Sequence, residues 1–254
     1  MVAEKRELLP RLGGRKLYHM IQGELQRQNI KMGRDALFDL LREHNLLIKR
    51  RRSAIRTTYS KRWFNRYDNL TKGLKLTRVN QLWVSDITYV RTKSGFTYLS
   101  LITDAYSRRV MGYHLSNSLS TSGCIKALNM ALDAADNTHG LIHHSDRGSQ
   151  YCSEKYTQLL DQHGIEISMT QASDPLDNPL AERMNGILKQ EFMDVQQLKG
   201  LLDARLILKK SVAKYNSIRP HLSLEMDTPN NVHFNPQSDN LYQDNNHLVN
   251  PTQD

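Results

Sequence analysis

The chain is poor in cysteine, with only Cys124 and Cys152 among 254 residues and no CxxC pair. That scarcity excludes a disulfide framework and a cysteine-based zinc site, and it fits a reducing cytoplasm. Long apolar runs are also missing. The opening "MVAEKRELLPRLGGRK" lacks the hydrophobic stretch of a signal peptide, and no later segment approaches the ~20 apolar residues of a membrane span. Acidic residues are sparse in one region. Residues 1–80 hold 20 Lys and Arg against 7 Asp and Glu, whereas the remainder holds 15 against 19. The whole net charge of +9 therefore originates in the first third. Such asymmetry suggests a polyanion-binding module joined to a near-neutral domain, with a merely solvated basic surface as the alternative. A hydrophobic content of 39% against 24% charged residues calls for a packed core.

Residues 14–44 read as two amphipathic helices. Leu17, Ile21 and Leu25 recur at helical spacing in the first, and Leu37, Leu40 and Leu41 form a stripe in the second. The break at "NIKMG" makes a helix-turn-helix unit, and "IKRRRSAIRTTYSKRW" follows as a basic arm suited to duplex phosphates. A polar, basic linker covers residues 61–80. Then "QLWVSDITYV", "FTYLSLIT" and "RRVMGYHLS" read as three antiparallel strands separated by short turns. A helix from about Thr121, a strand in "GLIHHS", a helix closed by Gly164, a strand in "IEISM" and a further helix complete the order. This pattern is α/β, a ribonuclease-H-like mixed five-stranded sheet with flanking helices, preceded by a small all-α segment.

Three carboxylates stand out. Asp86 lies in the middle of the first strand, where a charge is costly unless paired, hydrogen-bonded or bound to a cation; a structural hydrogen bond is the plain alternative. Asp146 follows the fourth strand, which the expected sheet order places beside the first. Two nearby negative charges repel, and a divalent cation between them resolves the conflict. Glu182 lies on the helix begun by Asn178, a good N-cap, and Pro179, suited to the first turn. Leu180, Met184, Ile187 and Leu188 form one stripe of that helix, and Glu182, Asn185, Gly186 and Lys189 the opposite face. An ordinary solvated face is the simpler reading of that set. Two aspartates and a glutamate would nevertheless hold two Mg²⁺ ions about 4 Å apart for in-line phosphoryl displacement, without histidine or cysteine. Lys189 could then hold a DNA phosphate.

Asp86, Asp146 and Glu182, with thirty-five residues between the last two, resemble the aspartate–aspartate–glutamate (DDE) triad of retroviral-integrase-type transposases. "WVSDITYV", "HHSDRGSQY", "DNPLAERMNGILKQE" and "YNSIRPHLSL" resemble, in order, the motif blocks of the IS-three insertion-sequence family, specifically its second-frame product, OrfB. The N-terminal "GGRKLYHMI" and "REHNLLIKRR" resemble its helical DNA-binding segment. The resemblance implies a DDE-type polynucleotidyl transferase that performs metal-dependent 3′-end nicking and strand transfer. It implies catalytic and metal-binding roles for Asp86, Asp146 and Glu182, with Mg²⁺ as the ion and Mn²⁺ as a substitute.

DNA contacts are expected at Lys189, Asn185, Arg147, Arg50, Arg51, Arg52 and Arg56. The chain has Leu176 where the family has an aromatic residue before Asp177 and Asn178. The resemblance further implies a homo-oligomer on element ends and target DNA in the cytoplasm, at the bacterial nucleoid, with no membrane. No heptad zipper precedes residue 14, so the chain is expected to be the catalytic half, partnered or fused with the upstream-frame product OrfA. The expected division is 1–60 DNA-binding, 61–80 linker, 81–235 catalytic core and 236–254 polar tail. A non-catalytic repressor derived from a transposase is the second reading, and a purely hydrolytic nuclease the third. Neighbouring polar residues have plainer roles. His143, His144 and Ser145 read as strand-end packing, DNA or supporting contacts, Asp104 as a turn residue, and Asp174 and Asp177 as loop acids.

Overall fold

The computed structural model describes residues 1–48, 67–171 and 178–235. The arginines of the expected arm (Arg50, Arg51, Arg52, Arg56), the loop residues Asp174, Leu176 and Asp177, and the expected tail lie outside these. Three helices open the chain: α1 (Val2–Leu8), α2 (Gly14–Arg27) and α3 (Arg34–Glu43). The first gives no signal in the sequence, because seven residues are too few to show a periodic stripe. Leu17, Ile21 and Leu25 of α2 are buried as their spacing requires, and so are Leu37 and Leu41 of α3. Leu40, expected in the same stripe, faces solvent. These helices share one apolar cluster with the sheet residues Val90, Leu99 and Leu101, so they pack directly on the body that follows.

That body is a five-stranded sheet of order β3–β2–β1–β4–β5. Its strands are β1 (Leu82–Thr92), β2 (Gly95–Asp104), β3 (Val110–Ser116), β4 (Ile142–Ser145) and β5 (Glu166–Met169). The first three form the antiparallel meander expected from their aromatic and β-branched content, with Asp86 opposite Leu101. The last two run parallel to β1, with Val84 beside His144. Residues 67–80 do not swing free. Leu70 N–H donates to Ser168 Oγ at 2.9 Å, and Asn80 N–H to Asp104 Oδ2 at 2.8 Å.

Because side chains alternate along a strand, β1 faces two different cores. On one side Trp83 packs with Ile102, Leu128 and Tyr156 beneath α4 (Thr121–Asp133) and α5 (Glu154–Gln162). Here His143 is buried, its Nε2 within 2.7 Å of Ser85 Oγ and 2.9 Å of Tyr156 Oη. On the other side lie α6 (Pro179–Ile187), a π-helical segment (Leu188–Met193), α7 (Leu201–Ser217) and the short α8 (Pro229–Phe234). The π segment, α7 and α8 are elements beyond the sequence-based expectation. Edge strand β3 is covered by Asn216 of α7, whose amide accepts from Val110 N–H and donates to Val110 C=O, both at 3.0 Å.

This packing makes two expectations testable. A Cβ on Gly112 would stand 2.0 Å from Ala127 O and 2.9 Å from Ala131 N, so β3 and α4 meet this closely only over glycine. Gly112→Ala is expected to cost about 1–3 kcal/mol, visible as a lowered melting temperature; an unchanged melt would refute this close approach. The second concerns acid. Burial, and then the neighbouring His144, lowers the His143 pKa from its ordinary 6.5 to about 3. Above pH 6.5 both states hold it neutral; as pH falls toward 3 only the unfolded chain takes up the proton, so stability declines. Urea midpoints should fall through that window, and less steeply in His143→Gln. Identical slopes would remove His143 from the acid response.

Candidate active site

Asp86 sits halfway along β1, on the α6 side of the sheet, where strand geometry fixes its direction. Its carboxylate is half-buried and held at both ends. Ile87 N–H donates to Oδ1 at 2.8 Å, and Asn185 Nδ2 donates to Oδ2 at 2.8 Å. Burial, and then the neighbouring Asp146, raise its pKa to about 7 against the lowering by those two hydrogen bonds; Glu182 adds a smaller upward push. The plain reading of Asp86 as a hydrogen-bonded structural residue is thus partly met. The bonds do not cancel the cost of its charge.

Asp146 follows the last residue of β4, and the parallel pairing of β4 with β1 brings it near Asp86. Its residue reaches water, while burial of the carboxylate in the turn raises its pKa and the Gly148 N–H opposes that rise. That N–H donates to Asp146 Oδ1 at 2.9 Å. A Cβ at Gly148 would lie 2.9 Å from the same oxygen, so the glycine keeps the carboxylate clear. Arg147, expected to contact DNA, is half-buried, and its Nε has no hydrogen-bond partner. The preceding residues turn inward. His143, His144 and Ser145 are each 1% exposed, and His144 Nδ1 lies 2.8 Å from Ser168 Oγ. They are packing residues and leave no surface for DNA.

Helix α6 carries Glu182 across β1 by three residues at helical spacing. Asn178 Nδ2 donates to Ser85 C=O at 3.0 Å, Ala181 packs on Leu82 and Val84, and Asn185 reaches Asp86. Asn178 occupies the N-cap position, but its side chain makes no cap bond; it is committed to the strand instead. Asn185, expected on the outer polar face as a DNA contact, is only 4% exposed, because α6 turns that face toward the carboxylate. Glu182 is exposed beside it, and Lys189 falls in the π segment, half-buried.

Among the described residues, no three His, Cys, Asp or Glu side chains stand close enough to hold a metal ion. The donors present still suit one. They are hard oxygens of two adjacent like charges, none of the described Lys or Arg residues forms a salt bridge with them, and the buried Oδ1 atoms of Asn178 and Asn185 lack hydrogen-bond partners. Asp86 and Asp146 would hold a divalent cation, with Glu182 able to approach from α6.

Other motif residues resolve into supports. Asp104 is buried and accepts Ser107 N–H and Ser107 Oγ, both at 2.7 Å, confirming its role in the β2–β3 turn. In "YNSIRPHLSL", Arg219 is fully buried and forks onto Glu191 of the π segment at 2.6 and 2.7 Å. Tyr215 Oη donates to Arg108 C=O at 3.0 Å. The segment braces α7 against α6; its mixture of apolar and charged residues carries no periodic signal from which to read this.

The integrase core domain family matches residues 77–175, and a second integrase core domain family matches residues 163–229. A transposase for insertion sequence element IS629 from Shigella sonnei is 34% identical over 196 residues, covering 77% of this chain and 66% of the relative. An IS600 insertion-element 31 kDa protein, also from Shigella sonnei, is 35% identical over 211 residues, covering 82% of this chain and 78% of the relative. The catalytic core domain of HTLV-2 integrase, solved in complex with magnesium, superposes with a TM-score of 0.50 at 20% identity, over 61% of this chain and 97% of that one. That likeness shows the ribonuclease-H-like fold, with a mixed sheet and flanking helices. The chain spans about two thirds of the IS629 transposase. Its sheet, its ordered motif blocks and these relatives converge on one assignment, consistent with the IS-three branch: the chain belongs to the insertion-sequence transposases with an integrase-like core.

Proposed function

We propose that this chain nicks DNA at the 3′ ends of an insertion sequence and joins the exposed 3′-hydroxyl to a target strand, with Asp86, Asp146 and Glu182 as its catalytic carboxylates. One observation carries the reading. Asp86 lies half-buried, and that burial, then the like charge of Asp146, raises its pKa, with no described Lys or Arg in a salt bridge to offset it. A structural carboxylate would be neutralised by a partner; this pair instead offers a place to a divalent cation. When bound, two such ions, Mg²⁺ or in its stead Mn²⁺, would activate the attacking oxygen and stabilise the leaving one. The magnesium in the HTLV-2 integrase core structure supports that choice.

The chain's own residues do the positioning. Ile87 N–H and Asn185 hold both oxygens of Asp86 before any ligand arrives, Gly148 leaves Asp146 uncrowded, and Glu182 closes from α6. Arg147 follows Asp146, Lys189 continues the helix of Glu182, and both would take DNA phosphates. Asn185 acts as a positioning residue. On this reading the working assembly is an oligomer on DNA at the nucleoid, with an upstream-frame product contributing to recognition of the ends. The lack of a closed three-carboxylate cluster among the described residues favours a second reading, a non-catalytic DNA-binding repressor.

Strand transfer on DNA carrying the element's ends separates the two. Joined products are expected with Mg²⁺ and are expected to disappear in Glu182→Gln and with a chelator, while DNA binding persists in both. Full activity in Glu182→Gln would sink the third-ligand assignment, and binding without any metal-dependent cleavage would favour the repressor. A further expectation concerns Asn185→Ala, which removes the donor to Asp86 Oδ2. Mn²⁺ affinity measured by calorimetry should weaken by about 10–100-fold with the fold intact by circular dichroism. Unchanged metal affinity would show that Asn185 does not position Asp86.

A further inference from the structure

We propose that the sheet surface formed by Tyr89, Phe96 and Tyr98 at the β1–β2 hairpin, rimmed by Arg91 and Lys93, is a platform on which unpaired bases of single-stranded DNA stack. The proposal rests on the DNA-acting reading above. It names a place on the face of β1 opposite to Asp86, which the candidate carboxylates do not occupy.

Strand register builds this surface. Tyr89 lies opposite Tyr98, and Arg91 opposite Phe96, so all four side chains leave the same face of the antiparallel pair. The Tyr89 and Tyr98 ring centroids are 5.2 Å apart, and the Phe96 ring meets Tyr89 edge-on at 6.3 Å and 89°. The three rings form one contiguous patch, and it lies beyond the helices that cover this face. Gly123, in the first turn of α4, stands over the neighbouring part of the sheet; a Cβ there would lie 3.4 Å from Ser116 Oγ and 3.5 Å from Ser100 Oγ. Along β1 the apolar cluster beneath α4 and α5 ends at Ile87 and takes in none of the three rings. Phe96 is 60% exposed, and both tyrosines are half-buried. Cross-strand aromatic pairs do stabilise a hairpin, but that role alone gives no reason to leave the outermost ring in water.

Charge selects the occupant. Residues 87–132 hold Arg91, Lys93, Arg108, Arg109 and Lys126 against a single acid, Asp104. That acid is buried, and its oxygens accept from the N–H groups of Asn80 and Ser107 and from Ser107 Oγ. The stretch is therefore basic inside a region, residues 81–254, where acids outnumber Lys and Arg by 19 to 15. Arg91 and Lys93 are exposed, and among the described residues neither forms a salt bridge. Aromatic faces beside cations suit single-stranded nucleic acid, because every base offers a π-face and every phosphate a charge. In a duplex those base faces are already stacked on one another. The platform is fixed in advance, since Lys93 N–H donates to Leu198 C=O and Thr92 Oγ1 to Gly95 C=O, both at 2.8 Å, across the hairpin turn. It is also close to the candidate site. Tyr89 lies three residues beyond Asp86, about 10 Å along the strand. Among the described residues β4 flanks β1 only over Leu82–Val84, so a single strand has a path from the carboxylates across the open edge of β1 to the rings.

The test uses the full chain in EDTA, so that binding is read apart from catalysis. Affinity is measured by fluorescence anisotropy for an oligothymidylate of about 15 nucleotides and for an abasic oligomer of the same length and charge. The wild type is expected to prefer the oligothymidylate. Phe96→Ala should weaken that binding by about 5–150-fold and leave the abasic oligomer unchanged. Arg91→Gln should weaken both, with a plot of log K against log salt shallower by about 0.7 unit. Photocrosslinking of the wild type to an iodouracil-bearing oligomer should attach Tyr89, Phe96 or Tyr98, as read by mass spectrometry. Equal affinity of the wild type for the two oligomers would overturn the platform, and so would equal losses on both in Phe96→Ala. Crosslinks confined to other residues would also overturn it, a readout that needs no variant to fold. If Phe96→Ala lowers the melting temperature but keeps the wild-type preference for bases, the rings only stabilise the hairpin and the proposal fails. Mg²⁺-dependent joining of element ends is assayed separately. Joining without any base preference would sink the platform and leave the transposase reading standing. Base preference without joining would support the platform and count against strand transfer.

Discussion

The bond from Asn185 to Asp86 is the contact on which the geometry of the candidate site turns. A half-buried carboxylate in a central strand needs donors, and the one that reaches Oδ2 comes from the helix carrying Glu182. The same helix is tied at its start by Asn178 to the carbonyl of Ser85, and between the two tethers the small Ala181 packs on Leu82 and Val84, letting the helix lie close to β1. Two amides and one small side chain thereby set how near the third carboxylate can come to the first. The charges alone would not draw it in, since all three are negative.

This arrangement works because the sheet divides its tasks between faces. Under α4 and α5 the interior is dry, and the polar groups it contains, Ser85, His143 and Tyr156, satisfy one another. That interior fixes β1 against β4 and therefore Asp86 against Asp146. The opposite face carries α6 and its glutamate, and there the C-terminal motif acts as a brace. A buried ion pair such as Arg219–Glu191 is weak evidence for net stability, because desolvation offsets much of its attraction. Its forked geometry, however, specifies where the π segment sits relative to α7. That also fixes the direction in which α6 is continued, and so the placement of Lys189.

Much of the fold is legible from local pattern. The meander, the two parallel strands and the helix begun by Pro179 announce themselves through strand alternation and turn chemistry, and Asp86 and Asp146 through their places in and after strands. The departures from expectation share a physical origin. A helical wheel puts Asn185 on the outer face because amides are usually solvated, whereas a buried carboxylate across the gap makes the inner position favourable. Spacing alone points Leu40 inward, but α3 buries Leu37 and Leu41 and leaves Leu40 exposed. The π segment is invisible in the sequence because the widened turn is imposed by contacts such as Arg219 on Glu191, which come from a distant part of the chain.

The sequence by itself determined the family, the sheet and the three candidate carboxylates, since composition, periodicity and ordered motifs are local properties. It also determined the asymmetry of charge. Only the tertiary structure decided which groups hold the oxygens of Asp86, that the histidines beside Asp146 are core, and that Arg219 is buried against Glu191. Those outcomes depend on groups far apart in the chain competing for the same few hydrogen-bond and charge partners, and such competition is settled only when the chain is folded.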